Sequence, residues 1–192
     1  QNMGPIMDEL SKANIFIEAA KGTERADDSW ERYASWVNMK IGPTGKERYI
    51  SYGMYDLHDV SAILKEVRVA AGKEPSIPLD KVMMDYVASY EALAPVMNTA
   101  AAYYDRNGYE RDKAAEGKAL HKQLVPLATE FLAKRDAMIP LLRTYVREAA
   151  HQQVDAIEKE EGRTARWQAA HVMHAADAVF DAFPHTRPQQ FS

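Results

Sequence analysis

The chain predicts an all-α fold, a bundle of about six helices built on one long antiparallel helical hairpin. Three observations carry that prediction. Leu79, Met83, Tyr86, Tyr90, Leu93, Met97, Ala100 and Tyr104 alternate spacings of four and three without a miss, the signature of one apolar stripe on an amphipathic helix. Leu120, Leu124, Leu127, Phe131, Met138, Leu141 and Tyr145 continue the lattice on a second helix, flawed only at Lys134. No window alternates with period two for long, and the turn pairs that join strands into hairpins are missing, so no sheet is expected.

The elements come in order along the chain. Ile6, Leu10, Ala13, Ile17 and Ala20 define a first helix, and Trp30, Tyr33 and Val37 a second. A third is expected to begin near Thr44, whose hydroxyl can cap the Glu47 amide while Glu47 reaches back, and to run through Val60, Leu64 and Val67 to about Gly72. The stretch from Pro75 to Pro78 makes the next connection. The hairpin then occupies residues 79–106 and 110–161, divided at Asn107-Gly108, which tolerate the left-handed backbone that ends a helix. Pro95, Pro126 and Pro140 lie inside these two helices and should bend rather than end them, because the apolar lattice continues across each. Gly162 ends the fifth helix. The sixth carries Ala169, Val172, Ala176, Val179 and Phe183 toward the core and stops before Pro184. Residues 1–183 thus read as one helical domain and residues 184–192 as a frayed tail.

Composition excludes several function classes. With 192 residues the chain can bury a sizeable core unaided, and a net charge of -4, with basic and acidic residues interleaved, offers no stripe for a nucleic-acid backbone. The absence of cysteine removes disulfides, thiolate catalysis and Cys-ligated zinc. No apolar run approaches the roughly 20 residues needed to span a bilayer. Gly42-Pro43-Thr44-Gly45-Lys46 superficially resembles a phosphate loop, but the spacing between its glycines is too short and Glu47 comes directly after the lysine.

The hairpin connection reads Tyr103-Tyr104-Asp105-Arg106-Asn107-Gly108-Tyr109-Glu110-Arg111-Asp112, and the next helix opens with Glu116-Gly117-Lys118-Ala119-Leu120-His121. Together with Tyr33 to Val37, the Gly42-Pro43-Thr44 turn and the Leu79-Asp80 helix opening, this resembles the YiiG-like family of bacterial envelope proteins, domain of unknown function 3829. The resemblance implies a helical, extracytoplasmic domain, periplasmic or anchored as a lipoprotein through a segment outside this chain, with no established activity. It lends no catalytic residue.

The chemistry-bearing residues are few. Glu148-x-x-His151 is half of a di-iron signature that requires two copies, and Gln168-x-x-His171 presents an amide where a carboxylate is needed. His171 and His174 stand one turn apart with Trp167 one turn earlier, on a face directed away from the Val172 stripe. A zinc or copper site there would need ligands from elsewhere. His121 borders the Leu120 and Leu124 stripe and reads as a histidine bonded to the facing helix. Gly117 falls on the core lattice, where it permits close approach, with Met97 and Ala100 expected beside it. No nucleophile beside a base, carboxylate pair or glycine-rich elbow is present. The expectation is therefore a non-catalytic envelope module that binds another protein or gives structural support, with no cofactor and no metal ligands assigned. The competing reading is a small-ligand or metal-binding domain using Trp167, His171 and His174. Tyr103, Tyr109 and His121 complete the candidate ligand contacts.

Overall fold

A computed structural model describes the backbone of residues 3–181 and the side chains of residues 4–173. Its elements are α1 (Met3–Gly22), α2 (Glu24–Ala34), α3 (Ser61–Ala71), α4 (Pro78–Asp105), α5 (Gly108–Asp112), α6 (Ala115–Glu161) and α7 (Ala165–Asp181), with a 3-10 turn at Ile50–Tyr52. No strand occurs among the described residues, and the protein is all-α. Contacts divide the chain into two compact units. Residues 14–142 form the larger, and the described residues up to Ala13 and from Arg143 form the other.

In the larger unit the apolar lattice does what its spacing requires. Leu79, Met83, Tyr86, Tyr90, Leu93, Met97, Ala100 and Tyr104 are all buried along α4, opposite Leu120, Leu124, Phe131 and Met138 of α6. Tyr86 stacks on Phe131 with ring centroids 5.5 Å apart, and Tyr90 meets the same ring at 6.0 Å. Both helices continue across their prolines. At the start of α4, Asp80 Oδ2 accepts the Ile77 amide at 2.9 Å, closing the first turn.

Several expectations need correction. The third helix does not start at Thr44. Glu47 does reach back, accepting the Thr44 amide at 2.5 Å and hydroxyl at 2.8 Å, but Gly42 and Gly45 have φ of +75° and +82°, and the chain closes an isolated turn before running irregularly to Ser61. A capping box satisfies a turn as well as a helix start, so the signature alone does not commit the chain to a helix. The hairpin connection holds the short α5, ended by left-handed Lys113 and Ala114, before α6 begins at Ala115. In α1 the buried residues are Ala13, Phe16 and Ala19, so Ala13 lines the core as expected while Ile6, Leu10, Ile17 and Ala20 lie only half-buried beside it.

In α6 the stripe passes through Leu142 rather than Leu141, which is 46% exposed. The flaw at Lys134 explains the shift. Counting by four and three from Phe131 gives 135, 138 and 142, so the core position belongs to Arg135, which is 7% exposed. Finally, a Cβ on Gly117 would lie 3.1 Å from the Tyr103 ring, 3.1 Å from the Tyr104 hydroxyl and 3.2 Å from Pro43. The close approach is real, but the glycine meets α4 at its last turn rather than at Met97 and Ala100.

In the other unit, Gly162, with φ +74°, ends α6 and its amide donates to the Glu158 carbonyl at 2.9 Å. Val172 and Met173 are 64% and 69% exposed and Ala169 is exposed, so this face of α7 is not core. The less exposed side is that of Trp167, whose indole has the Arg163 guanidinium, from the turn before α7, at 5.1 Å and the stacked His171 ring at 4.9 Å. Phe183 and the 184–192 tail lie outside the described residues, as do the side chains of His174, Ala176 and Val179.

Candidate functional site

Three of the sequence-selected residues, Tyr103, Tyr109 and His121, come together with Tyr33, Trp36 and Tyr104 in one buried aromatic cluster where α2, α4 and α6 meet. His121 is fully committed inside it. Its Nε2 lies 3.1 Å from the Met39 carbonyl, which can only accept, so Nε2 carries the proton and Nδ1 accepts from the Tyr33 hydroxyl at 2.9 Å. Its partners thus lie on α2 and the turn beyond, not on α4. A Cβ on Gly42 would sit 2.9 Å from the imidazole ring, so the left-handed glycine lets the turn close over His121. Tyr103 donates to Asp112 at 2.8 Å and Tyr109 to Asn107 at 3.0 Å, bonds that fasten the connection around α5.

The Tyr104 hydroxyl is buried and makes no well-formed hydrogen bond among the described residues, only a weak approach to the Tyr33 oxygen. Burial pushes the Tyr33 and Tyr104 phenols well above their ordinary range, and burial with the Asp112 bond brings Tyr103 up to about 12. These are neutral, architectural groups at any ordinary pH.

A second buried polar group stands where residue polarity alone would not have placed it. Arg135 Nη1 donates to the Tyr86 hydroxyl at 3.0 Å and the Ala20 carbonyl at 3.3 Å, while Nε lies 3.6 Å from Asp27. Tyr86 in turn bonds the Thr23 hydroxyl, which donates to the Ala19 carbonyl at 2.8 Å. One cation thereby ties α1, α2, α4 and α6 together, and its position on the 4-3 lattice was the available signal.

On the surface above the aromatic cluster lies the feature with the composition of a binding site. Residues 49–56 are laid against α2, whose Arg25, Ser29 and Arg32 stand at i, i+4 and i+7 on one face. Arg25 Nε donates to the Asp56 carbonyl and Arg32 Nε to the Tyr52 carbonyl, each at 2.5 Å. Ser29 Oγ donates to the Tyr55 carbonyl at 2.8 Å and accepts the Tyr55 amide at 3.0 Å, as a neighbouring strand would. From below, Trp36 Nε1 donates to the Gly53 carbonyl at 2.9 Å. A Cβ on Gly53 would lie 2.7 Å from Tyr104 Cβ, so only glycine, here at φ +53°, allows so close a seat.

Fixed in this way, Tyr49, Tyr52 and Tyr55 remain 43%, 49% and 36% exposed. Arg48 lies over Tyr49 at 5.1 Å, and Tyr49 stacks on Tyr52 at the same centroid distance. Arg32 reaches over Tyr52 at 5.5 Å and Tyr55 at 4.5 Å, and Arg25 over Tyr55 at 4.9 Å. The result is a continuous strip of rings interleaved with guanidinium groups, running Arg48, Tyr49, Tyr52, Arg32, Tyr55 and Arg25. The Arg25 hydrogen bond holds the Asp56 carboxyl below the usual carboxylate range at one end of the strip.

A family model described as "Protein of unknown function (DUF3829)" matches residues 8–188. The chain belongs to the DUF3829 family. This DUF3829 chain is also 29% identical over 193 residues to the "Uncharacterized protein YiiG" of Escherichia coli (strain K12), an alignment covering 91% of the chain and 52% of that relative. It thus spans about half the length of the relative it matches. No solved structure matches it.

The strip's residues were missed in the sequence because tyrosines three apart in an irregular segment have no helical or strand period to announce them. The remaining selected residues do not join either cluster. Trp167 and His171 stack on each other with an interplanar angle of 11°, and the His174 side chain is outside the described residues. Among the described residues no group of three His, Cys, Asp or Glu side chains is arranged to hold a metal ion, and no helix is long and apolar enough to cross a membrane.

Proposed function

We propose that this DUF3829 chain is a non-catalytic docking module of the bacterial envelope, acting outside the cytoplasm and holding another protein through the strip formed by Arg25, Arg32, Arg48, Tyr49, Tyr52 and Tyr55. The observation that carries the reading is that the backbone bearing Tyr52 and Tyr55 is already fixed, by bonds from Arg25, Ser29 and Arg32 on one side and Trp36 below, with Arg25 and Arg32 themselves held by those bonds. Tyrosine and arginine dominate binding hot spots. A surface whose side chains are ordered before contact loses little conformational entropy on binding. The non-catalytic part of the proposal is supported by the use made of His121, Tyr33, Tyr86 and Arg135, each spent on fastening helices together. The extracytoplasmic part rests on family resemblance, and tethering through a lipid-modified cysteine outside these 192 residues belongs to the same proposal.

A photo-crosslinking benzoylphenylalanine at Tyr52, introduced in the native host, should give a discrete adduct with one envelope protein. The same group at exposed Lys118 should give none. Equal adducts at both positions, or none at Tyr52, would remove the docking reading, and an adduct with a cytosolic protein would remove the localisation.

A second reading, ligand capture on α7, is favoured by one observation. The Trp167 indole nitrogen is sheltered from solvent and donates to nothing among the described residues.

A further inference from the structure

We infer that the Arg32 to Arg48 end of the strip receives an acidic, extended segment of the partner protein. The inference rests on the docking reading and adds the partner's chemistry. Charge is distributed unevenly along the strip. At one end Arg25 is paired with Asp56 at 3.1 Å. At the other, Arg32, Lys46 and Arg48 form no ion pair with any described carboxylate. Glu47, the acidic residue between the latter two, is turned inward. Its Oε1 accepts the Thr44 amide and hydroxyl, and its Oε2 accepts the Gly45 amide at 3.0 Å. Although burial opposes ionisation, these bonds hold the Glu47 carboxyl below the usual range. Asp28 and Glu31 are exposed on α2, but neither bonds Arg32.

An otherwise acidic chain therefore displays uncompensated cations beside stacked rings. Arg32 is aimed, because its Nε is bonded to the Tyr52 carbonyl at 2.5 Å and its Nη1 to the Tyr55 hydroxyl at 3.0 Å, which leaves the outer guanidinium edge for a carboxylate. The stacked Tyr49 and Tyr52 rings, 5.1 Å between centroids, give a flat face on which a proline or aliphatic side chain can lie. An extended segment alternating such residues with carboxylates meets both features at once. Peptide is favoured over a lipid surface because the strip's aromatic residues are all tyrosines with no large aliphatic side chain among them, whereas interfacial anchoring draws its strength from buried apolar area.

The test uses a fluorescent twelve-residue peptide alternating Glu and Pro, its Gln-Pro counterpart, and phosphatidylcholine vesicles containing one quarter phosphatidylglycerol, each against the whole chain. The Glu-Pro peptide should bind with an anisotropy change that weakens about tenfold between roughly 50 and 300 mM salt. The Gln-Pro peptide should bind about tenfold more weakly at the lower salt. The side chains of Lys46 and Arg48 make no hydrogen bond or ion pair among the described residues, so Lys46→Gln with Arg48→Gln should fold normally and lose about fivefold in affinity. Tyr49→Ala should lose a similar factor, and Arg106→Gln, on the α4 connection, none. Equal binding of the two peptides, affinity unchanged in the variants, or binding to the vesicles alone, to which exposed Ile41 would contribute, would each overturn the inference. If the Tyr52 crosslink survives while the acidic peptide fails, the docking surface stands and only its acidic partner is wrong.

Discussion

Removing the hydroxyl of Tyr33 and removing that of Tyr104 should move stability in opposite directions, although the two rings are neighbours 6.0 Å apart in one cluster. Tyr33→Phe deletes the donor to His121 Nδ1 and strands a ring nitrogen on a side chain only 6% exposed. A buried acceptor left without a partner costs about 1 to 3 kcal/mol, and phenylalanine fills the same volume, so no cavity adds to that figure. Tyr104→Phe deletes a buried hydroxyl that makes no well-formed hydrogen bond among the described residues and has only a weak approach to the Tyr33 oxygen. Its desolvation is then an unrecovered cost of the native state, and its removal should be neutral or stabilise by up to about 1 kcal/mol. Trp36 packs on both rings at 5.1 Å and reports on them directly. Urea unfolding followed by fluorescence in a Trp167→Phe background confines the signal to Trp30 and Trp36, both in the larger unit. A lower midpoint for Tyr33→Phe and an equal or higher one for Tyr104→Phe is expected. If Tyr104→Phe costs as much as Tyr33→Phe, the Tyr104 hydroxyl is satisfied and the reasoning fails.

Arg135→Ala should destabilise by about 3 kcal/mol in the same assay, because it leaves Asp27 and the Tyr86 hydroxyl without their shared cation, whereas Lys134→Ala beside it should change little. Alkaline unfolding should result from the buried phenols. Burial raises Tyr90 and Tyr103 from 10.0 to about 12, so the neutral form is favoured in the fold, their contribution is complete below about pH 10 and it is lost as pH rises through about 12. Tyrosinate absorbance at 295 nm from these residues should appear together with loss of helical circular dichroism; a full tyrosine titration with the helix signal intact would contradict their burial. On α7, purified protein should carry no stoichiometric zinc, copper or iron by elemental analysis. Near one equivalent, lost in His171→Ala with His174→Ala, would promote ligand capture over docking.

The features legible in the sequence were periodic, and those it hid were not. The long helices of the larger unit, the Gly162 stop and the continuation across Pro95, Pro126 and Pro140 come from apolar spacing and helix-stop chemistry, and the spacing reports the shape of a buried stripe whatever else the residues do. The same spacing passes through Arg135, which the sequence reading overlooked because its position was judged by polarity rather than counted from Phe131 and Met138. Hydrophobicity and register are separate signals, and a charged residue in register is a buried one that needs partners. Tyr103, Tyr109 and His121 were singled out by motif and proved to be fastenings, because a tyrosine or histidine beside a core stripe can satisfy its polar atom at a helix junction. The docking strip required a different argument. The polar face of α2 repeats Arg25, Ser29 and Arg32 at one-turn intervals, and such a row can serve solvent, a neighbouring helix or a loop in need of backbone partners. Only the fold shows that it serves the loop, taking up the carbonyls of Tyr52, Tyr55 and Asp56 and turning three tyrosine side chains outward. Those bonds hold the backbone from Tyr52 to Asp56, so on the proposed docking role the Arg25, Ser29 and Arg32 row would act through Tyr52 and Tyr55 as well as by its own charge.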